Sequence, residues 1–297
     1  MSNTTESLRQ KIESAGDLQS VVRTMKALAA SSIGQYEKSV QSLGDYYRTV
    51  ELGLSVCFRA AGATPTIAKR PDADVIAAVV FGSDQGLVGQ FNDVITDHAV
   101  KGLAALTNKP QVWAVGARVH ARLKDAGLAP VGLFSVPNSI QAITPLVGKI
   151  LVEHETHRGR NAVTELHLFY NRPTTGAGYE PVSQRLLPLD ESWRRKLAEI
   201  PWPAKNLPEV IGSSTATLRA LIREYLFVSI FRACAESLAS ENASRLAAMQ
   251  RADKNIDELL AKLQGKFHQL RQSSIDEELF DVIAGFEVLS HSDKRGS

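Results

Sequence analysis

Three groups of residues in this chain have the types that chemistry needs, and none has a spacing that completes a site. The first is a loop, Gly82-Ser83-Asp84-Gln85-Gly86-Leu87-Val88-Gly89, set between an apolar run and a helix-like segment. Glycines ahead of a helix N-terminus let backbone N–H groups cradle a phosphate. Here the spacing is G-x-x-x-G-x-x-G, which fits neither the dinucleotide fingerprint nor the P-loop, and no Lys-Ser/Thr pair follows. A tight turn exposing backbone to a protein partner is the expected role. The second group is Glu153, His154, Glu155 and His157. His154 and His157 share a helix face at i, i+3 beside a carboxylate, but a metal site needs more converging ligands, so a solvated helix face is expected. The third is a pair of cysteines, Cys57 and Cys234, far apart and in no metal-ligand spacing. Buried, reduced thiols in a reducing cytoplasm are expected.

The remaining candidates are weaker. His98, His120, His167 and His268 have no serine, cysteine or acid beside them in a motif, and Glu277-Glu278 lies on a long helix without a pocket. No catalytic centre, metal or cofactor is expected. With 34 basic against 32 acidic residues there is no footprint for nucleic acid. No apolar stretch is long enough to span a bilayer, and the first ten residues lack a signal-peptide core, so a soluble chain is expected.

What positions these groups is a chain of two kinds of sequence. All 12 prolines lie between Pro65 and Pro208, and the two ends have none. In the first end, Leu18, Val22, Met25, Ala29, Ser32 and Tyr36 step by four and three; after one extra residue, Val40, Leu43, Tyr47, Val50, Leu54 and Cys57 resume. This predicts a long helix with a narrow seam and a stutter. In the last, Ile256, Leu260, Leu263, Phe267, Leu270, Leu279, Val282, Phe286 and Leu289 predict another, with a looser stripe upstream from Leu218 to Leu238. A helix over 214–289 would be roughly 110 Å long, so it needs a long partner or a large enclosure.

The proline-bearing middle alternates strand and helix. Strands are predicted at 75–81, 112–115, 131–136, 163–170 and 182–189, helices at 91–106, 117–126 and 139–157, and residues 193–208 read as a connecting segment. The fold class is thus α/β: a central Rossmann-like domain flanked by two long terminal helices that form an antiparallel coiled coil. The parts are 1–64, 65–208 and 209–297. The C-terminal helix is longer by about twenty residues, so its end should lack a helical partner at 1.5 Å rise per residue. Two other classes fit the same outline: an α/β nucleotide-binding protein with a dimerising coiled coil, and a free-standing coiled-coil scaffold.

Several ordered motifs resemble the gamma subunit of F-type ATP synthases, over almost the whole chain. Leu8-Arg9-Gln10-Lys11-Ile12 and Met25-Lys26-Ala27-Leu28-Ala29-Ala30-Ser31 are similar to that family's first helix. Ser83 to Gly89 with Asn92 resembles its loop, and Ser183-Gln184-Arg185-Leu186-Leu187-Pro188-Leu189 the end of its α/β domain. Ala235-Glu236-Ser237-Leu238-Ala239-Ser240-Glu241, Arg245 to Met249, Arg271-Gln272, and Ile275, Glu278, Asp281 and Gly285 match its last helix. Ser32, Gln85, Val88, Asp276 and Phe286 depart from the family's common residues and mark a divergent branch, such as an alternative bacterial F-type ATPase.

The resemblance implies a rotor shaft without an active site, standing inside a ring of alpha and beta subunits. Its α/β foot would meet the epsilon subunit and the membrane c-ring at the cytoplasmic face of a bacterial plasma membrane. It further implies that Met25, Lys26, Asp84, Gln85, Gly86, Arg245, Arg271 and Gln272 contact the beta subunits.

The antiparallel register that sets Met25 near Arg245 puts Cys57 about 30 Å from Cys234, at 1.5 Å per residue. A disulfide needs Cα atoms within about 7 Å. Mass spectrometry of the native chain should find two free thiols; a Cys57–Cys234 bond would overturn the pairing.

Overall fold

Seven consecutive apolar residues, Val75–Phe81, form the central strand of a five-stranded sheet, and their lack of polar alternation has a direct cause. Ala77, Val79 and Phe81 face one core, with Leu54, Ile143 and Ile230, while Ala78 and Val80 face a second, with Ile95, Ala99, Val119 and Leu123. A strand covered on both faces has no side for a polar residue.

The computed structural model describes residues 5–60, 75–106, 110–161, 163–175, 178–206, 208–210 and 212–293. In chain order the elements are α1 (Thr5–Ala60), β1 (Val75–Phe81), α2 (Phe91–Ala104), β2 (Gln111–Val115), α3 (Ala117–Asp125), β3 (Gly132–Phe134), α4 (Ile140–Asn161), β4 (Val163–Pro173), β5 (Tyr179–Leu187), α5 (Glu191–Glu199) and α6 (Ser214–Asp293). The strand order is β3-β2-β1-β4-β5, parallel except for the β4–β5 pair. The side chains of His157, Phe286 and Leu289 and the centre of the turn after β4 lie outside the described residues.

The predicted elements recur with shifts of a few residues at their ends. The exception is α5, read above as connecting segment. Asp190 caps it, its carboxylate accepting from Ser192 N at 3.0 Å, and Trp193 packs on Tyr225 with ring centroids 4.7 Å apart. The aspartate followed by an acidic first turn was the available start signal.

Two compact units divide the chain, residues Leu28–Ala248 and the pair Met1–Ala27 with Met249–Ser297. The larger unit holds the sheet, α2 to α5 and the adjoining parts of α1 and α6. Within it those two helices run antiparallel: Tyr46 donates to Glu224, Tyr47 packs on Tyr225 and Gly53 lies against Leu221. The smaller unit is also an antiparallel helix pair, joined by Gln19 to Asp257 and Arg23 to Asp253.

Burial along α1 corrects the predicted seam. Leu8, Ala15, Val22, Ala29 and Tyr36 are buried seven apart, and Leu43, Val50 and Cys57 extend the same line without interruption. Its companion line is Ile12, Gln19, Lys26, Ile33, Val40, Tyr47 and Leu54, all at least half-buried. No stutter is present, and Leu18 is 54% exposed. The apolar Leu18 had displaced the polar Gln19 in the sequence reading, but Gln19 keeps its seam place through α6 carboxylates. On α6 the seam is Met249, Ile256, Leu263 and Leu270, with Asp253, Leu260 and Phe267 beside it.

Leu54 and Leu18 were both assigned to the seam, yet Leu54 is fully buried. Leu54→Ala should therefore cost about 2–5 kcal/mol, whereas Leu18→Ser should stay within about 0.5 kcal/mol. Denaturant unfolding of the purified chain measures both; equal effects would refute the unbroken heptad line.

Candidate functional site

The loop after β1 is held from three sides. Asn92 Oδ1 accepts from Ser83 N at 2.9 Å, and its amide donates to Ser83 Oγ at 2.8 Å. Asp84 spends both carboxylate oxygens on backbone, accepting from Ala117 N and Val136 N at 2.8 Å each. It thereby caps the start of α3 and ties down Val136, two residues after the end of β3. Gly82 admits no side chain, because a Cβ there would lie 2.3 Å from that of Val119. Gly89 turns with φ +56, a region glycine enters without penalty. Leu87 does so as well, at φ +63, with 62% of its surface exposed. A bulky residue in that region is strained and persists only where its surroundings fix it.

One of those surroundings is α6. Ser244 Oγ donates to Val88 O at 2.6 Å, and Ser240 Oγ donates to Asn171 O at 3.0 Å. Asn171, near the end of β4, in turn donates to Phe91 O at 3.1 Å. In an open parallel sheet a nucleotide sits beyond the carboxyl ends of the strands where the order reverses, here between β1 and β4. The end of β4 is tied to the first residue of α2 and to α6, and the loop after β1 is tied to α6 as well.

Beside Ser244, the Arg245 guanidinium bonds Glu241 at 2.6 Å, and both side chains are nearly buried. Burial pushes the Glu241 carboxyl above the usual carboxylate range, against the pull of Arg245. Glu241 Oε2 and Arg245 Nε are buried without a hydrogen-bond partner among the described residues. The larger unit thus brings Asp84, Gln85, Gly86 and Arg245 together, with Gln85 exposed and Gly86 half-buried.

The other predicted contact residues belong to the smaller unit. Met25 is half-buried, and Lys26 Nζ bonds Asp253 Oδ2 at 3.0 Å. Lys26 is thus paired about two helical turns further along α6 than the predicted register has it. Arg271 and Gln272 are exposed, as is every described side chain from there to Ala284. Continuing the Gln19–Asp257 pairing residue by residue sets the first described residue of α1 opposite about Arg271. Ile275, Leu279, Phe280, Val282 and Ile283 stand on this unpaired end, 48–70% exposed. Leu279 and Val282, assigned to the seam above, are 56% and 63% exposed among the described residues.

Sequence reasoning missed Ser240, Ser244 and Asp253. For the two serines the sequence offered no separate signal, since Glu236, Ser237, Glu241, Asn242 and Arg245 surround them; an acid on the seam line was the signal for the third. Elsewhere, His154 is buried while Glu155 pairs with Arg223 at 3.1 Å, so these two do not converge on one point of a metal site. Both cysteines are free and buried, and burial raises each thiol above its ordinary value. No helix among the described residues is long and apolar enough to cross a membrane.

Comparison with known proteins agrees with this geometry. A family model described as ATP synthase matches residues 4–289. A gamma chain of the ATP synthase of Nocardioides sp. is 27% identical over 295 residues, covering 95% of each chain. That of Desulforamulus reducens is 26% identical over 291 residues, covering 95% of this chain and 98% of its own. Among solved structures, a chain of the Euglena gracilis mitochondrial ATP synthase (OSCP/F1/c-ring, rotational state 3) shares the fold with a TM-score of 0.64 at 19% identity, covering 98% of this chain and 95% of its own. The chain belongs to the ATP synthase family as a gamma chain, a non-catalytic rotor subunit of that complex.

Proposed function

We propose that this chain is the shaft that turns inside a ring of alpha and beta subunits, transmitting ion-driven rotation to their nucleotide sites. Its α/β part meets an epsilon subunit and a c-ring at the cytoplasmic face of a bacterial plasma membrane. The observation that supports this most is the end of α6. There Ile275, Leu279, Phe280, Val282 and Ile283 give one side of the helix a broad uncovered apolar face; such a face is stable in water only when something packs on it, and a ring of subunits supplies that cover.

The contact residues follow from exposure and chemistry. Arg271 presents a planar fork of donors to a carboxylate or carbonyl, and Gln272 adds a donor and an acceptor. The loop from Asp84 to Gly86 is fixed by its own bonds and offers Gln85 and the strained Leu87 outward. Arg245 keeps its Nε without a hydrogen-bond partner among the described residues. Met25 and the exposed part of Lys26 complete the set facing the beta subunits.

Co-expression with cognate alpha and beta subunits tests the reading: a stoichiometric ATPase holding one copy of this chain is expected. A stable homodimer that refuses those subunits would favour the scaffold, and tight nucleotide binding by the free chain would favour the nucleotide-binding protein. At the contacts, hydrogen bonds to charged groups contribute about 1.5–3 kcal/mol each, enough to bias a rotary dwell by tenfold or more. Arg271→Ala with Gln272→Ala should leave the helix intact, since alanine is the better helix former. That complex should assemble yet show altered turnover or weaker coupling to ion transport. Leu263→Asp, which charges the seam, should impair assembly instead. Parent-like turnover and pumping in the double variant would remove both residues from the contact.

A further inference from the structure

The helix pair of the smaller unit carries polar side chains where its seam should be apolar. Gln19 and Lys26 lie on the α1 line that elsewhere holds Ile12, Ile33, Val40, Tyr47 and Leu54. Asp253 lies on the α6 line of Leu260 and Phe267, with only 14% of its side chain exposed. These misfits meet one another. Asp253 Oδ2 accepts from Lys26 Nζ at 3.0 Å, and Oδ1 accepts from Arg23 Nε at 3.2 Å and Gln19 Nε2 at 3.4 Å. Gln19 also donates to Asp257, and Arg23 reaches that carboxylate at 3.7 Å.

Apolar seam contacts are non-directional, so one helix slides along another with little change in burial. A polar group at a seam position has partners in one register only, and a shift leaves it desolvated and unpaired. Isolated surface ion pairs do little, but here one carboxylate, itself only 14% exposed, is shared by two partly exposed cations and an amide. The rest of the small-unit seam, with Leu8, Ala15, Val22, Met249 and Ile256, is apolar.

We infer that the Asp253 cluster with Gln19, Arg23 and Lys26 is a register lock that stops α1 and α6 from shearing past each other when the shaft carries torque. Asp253 acts here as a positioning residue, touching neither nucleotide nor ion. The inference rests on the reading of the chain as a torque-bearing shaft, and its structural half stands independently of it.

Two measurements separate these halves. In the free full-length chain, hydrogen exchange follows amides near Gln19–Lys26 and Met249–Asp257. Asp253→Asn, which keeps the shape and drops the charge, should raise opening there by about threefold or more, the lower end of coupling between neighbouring groups. Asp253→Glu should restore protection in part. Unchanged exchange in Asp253→Asn overturns the lock itself. In the assembled membrane complex, Asp253→Leu supplies an apolar seam residue and should hold or raise the melting temperature. ATP hydrolysis without a load should stay at the parent rate, while ions moved per ATP against an opposing gradient should fall. Parent-like transport under load by Asp253→Leu overturns the torque-bearing role even if the exchange result stands.

Discussion

Everything in the larger unit depends on one stretch of α6 that is buried nearly all round. From Tyr225 to Glu241 only Phe227 and Arg232 escape full burial. An ordinary helix hides one stripe and shows the rest to water; this one has α1 on one side and the sheet with its helices on the others. Its small residues, Ala233, Cys234, Ala235, Ser237, Ala239 and Ser240, let neighbours approach closely. The charge it could not avoid is paired: Glu236 accepts from Arg172 on β4 at 3.2 Å and from Arg232 at 2.7 Å. Without this stretch the sheet would lose one of its two covers, and Asn171 at the end of β4 would lose its bond from Ser240.

The same stretch explains how a nucleotide-binding layout can serve a mechanical role. Strand order and crossovers make a crevice between β1 and β4, but layout alone does not give an activity. Ser240 and, just beyond it, Ser244 spend their hydroxyls on the end of β4 and on the loop after β1. What remains is a rigid block attached to two long helices. Its fixed loop shows solvent a strained leucine instead of a row of free amides.

Elements whose pattern has a single physical cause were legible in the sequence. β1 was found to the residue, because only a strand covered on both faces has seven apolar residues between breaks. The C-terminal seam from Ile256 to Leu270 was found because apolar type and burial coincide there. The reading failed where a polar residue does a seam residue's work. Gln19 and Lys26 are buried by virtue of partners more than two hundred positions away, and no local window contains Asp253. For the same reason the contact candidates were named by resemblance and not by pattern: Lys26 and Arg245 carry partners from their own chain, which spacing alone did not disclose.

The uncovered end of α6 also bears on how the protein is made. A newly synthesised copy carries Ile275, Leu279, Phe280, Val282 and Ile283 in water until something closes around them. Such a surface invites self-association and recognition by chaperones and proteases. Under the reading proposed above, a copy whose α6 end is enclosed would be shielded from that fate, and one left open would be exposed to it, so the lifetime of the chain would follow the supply of its enclosure.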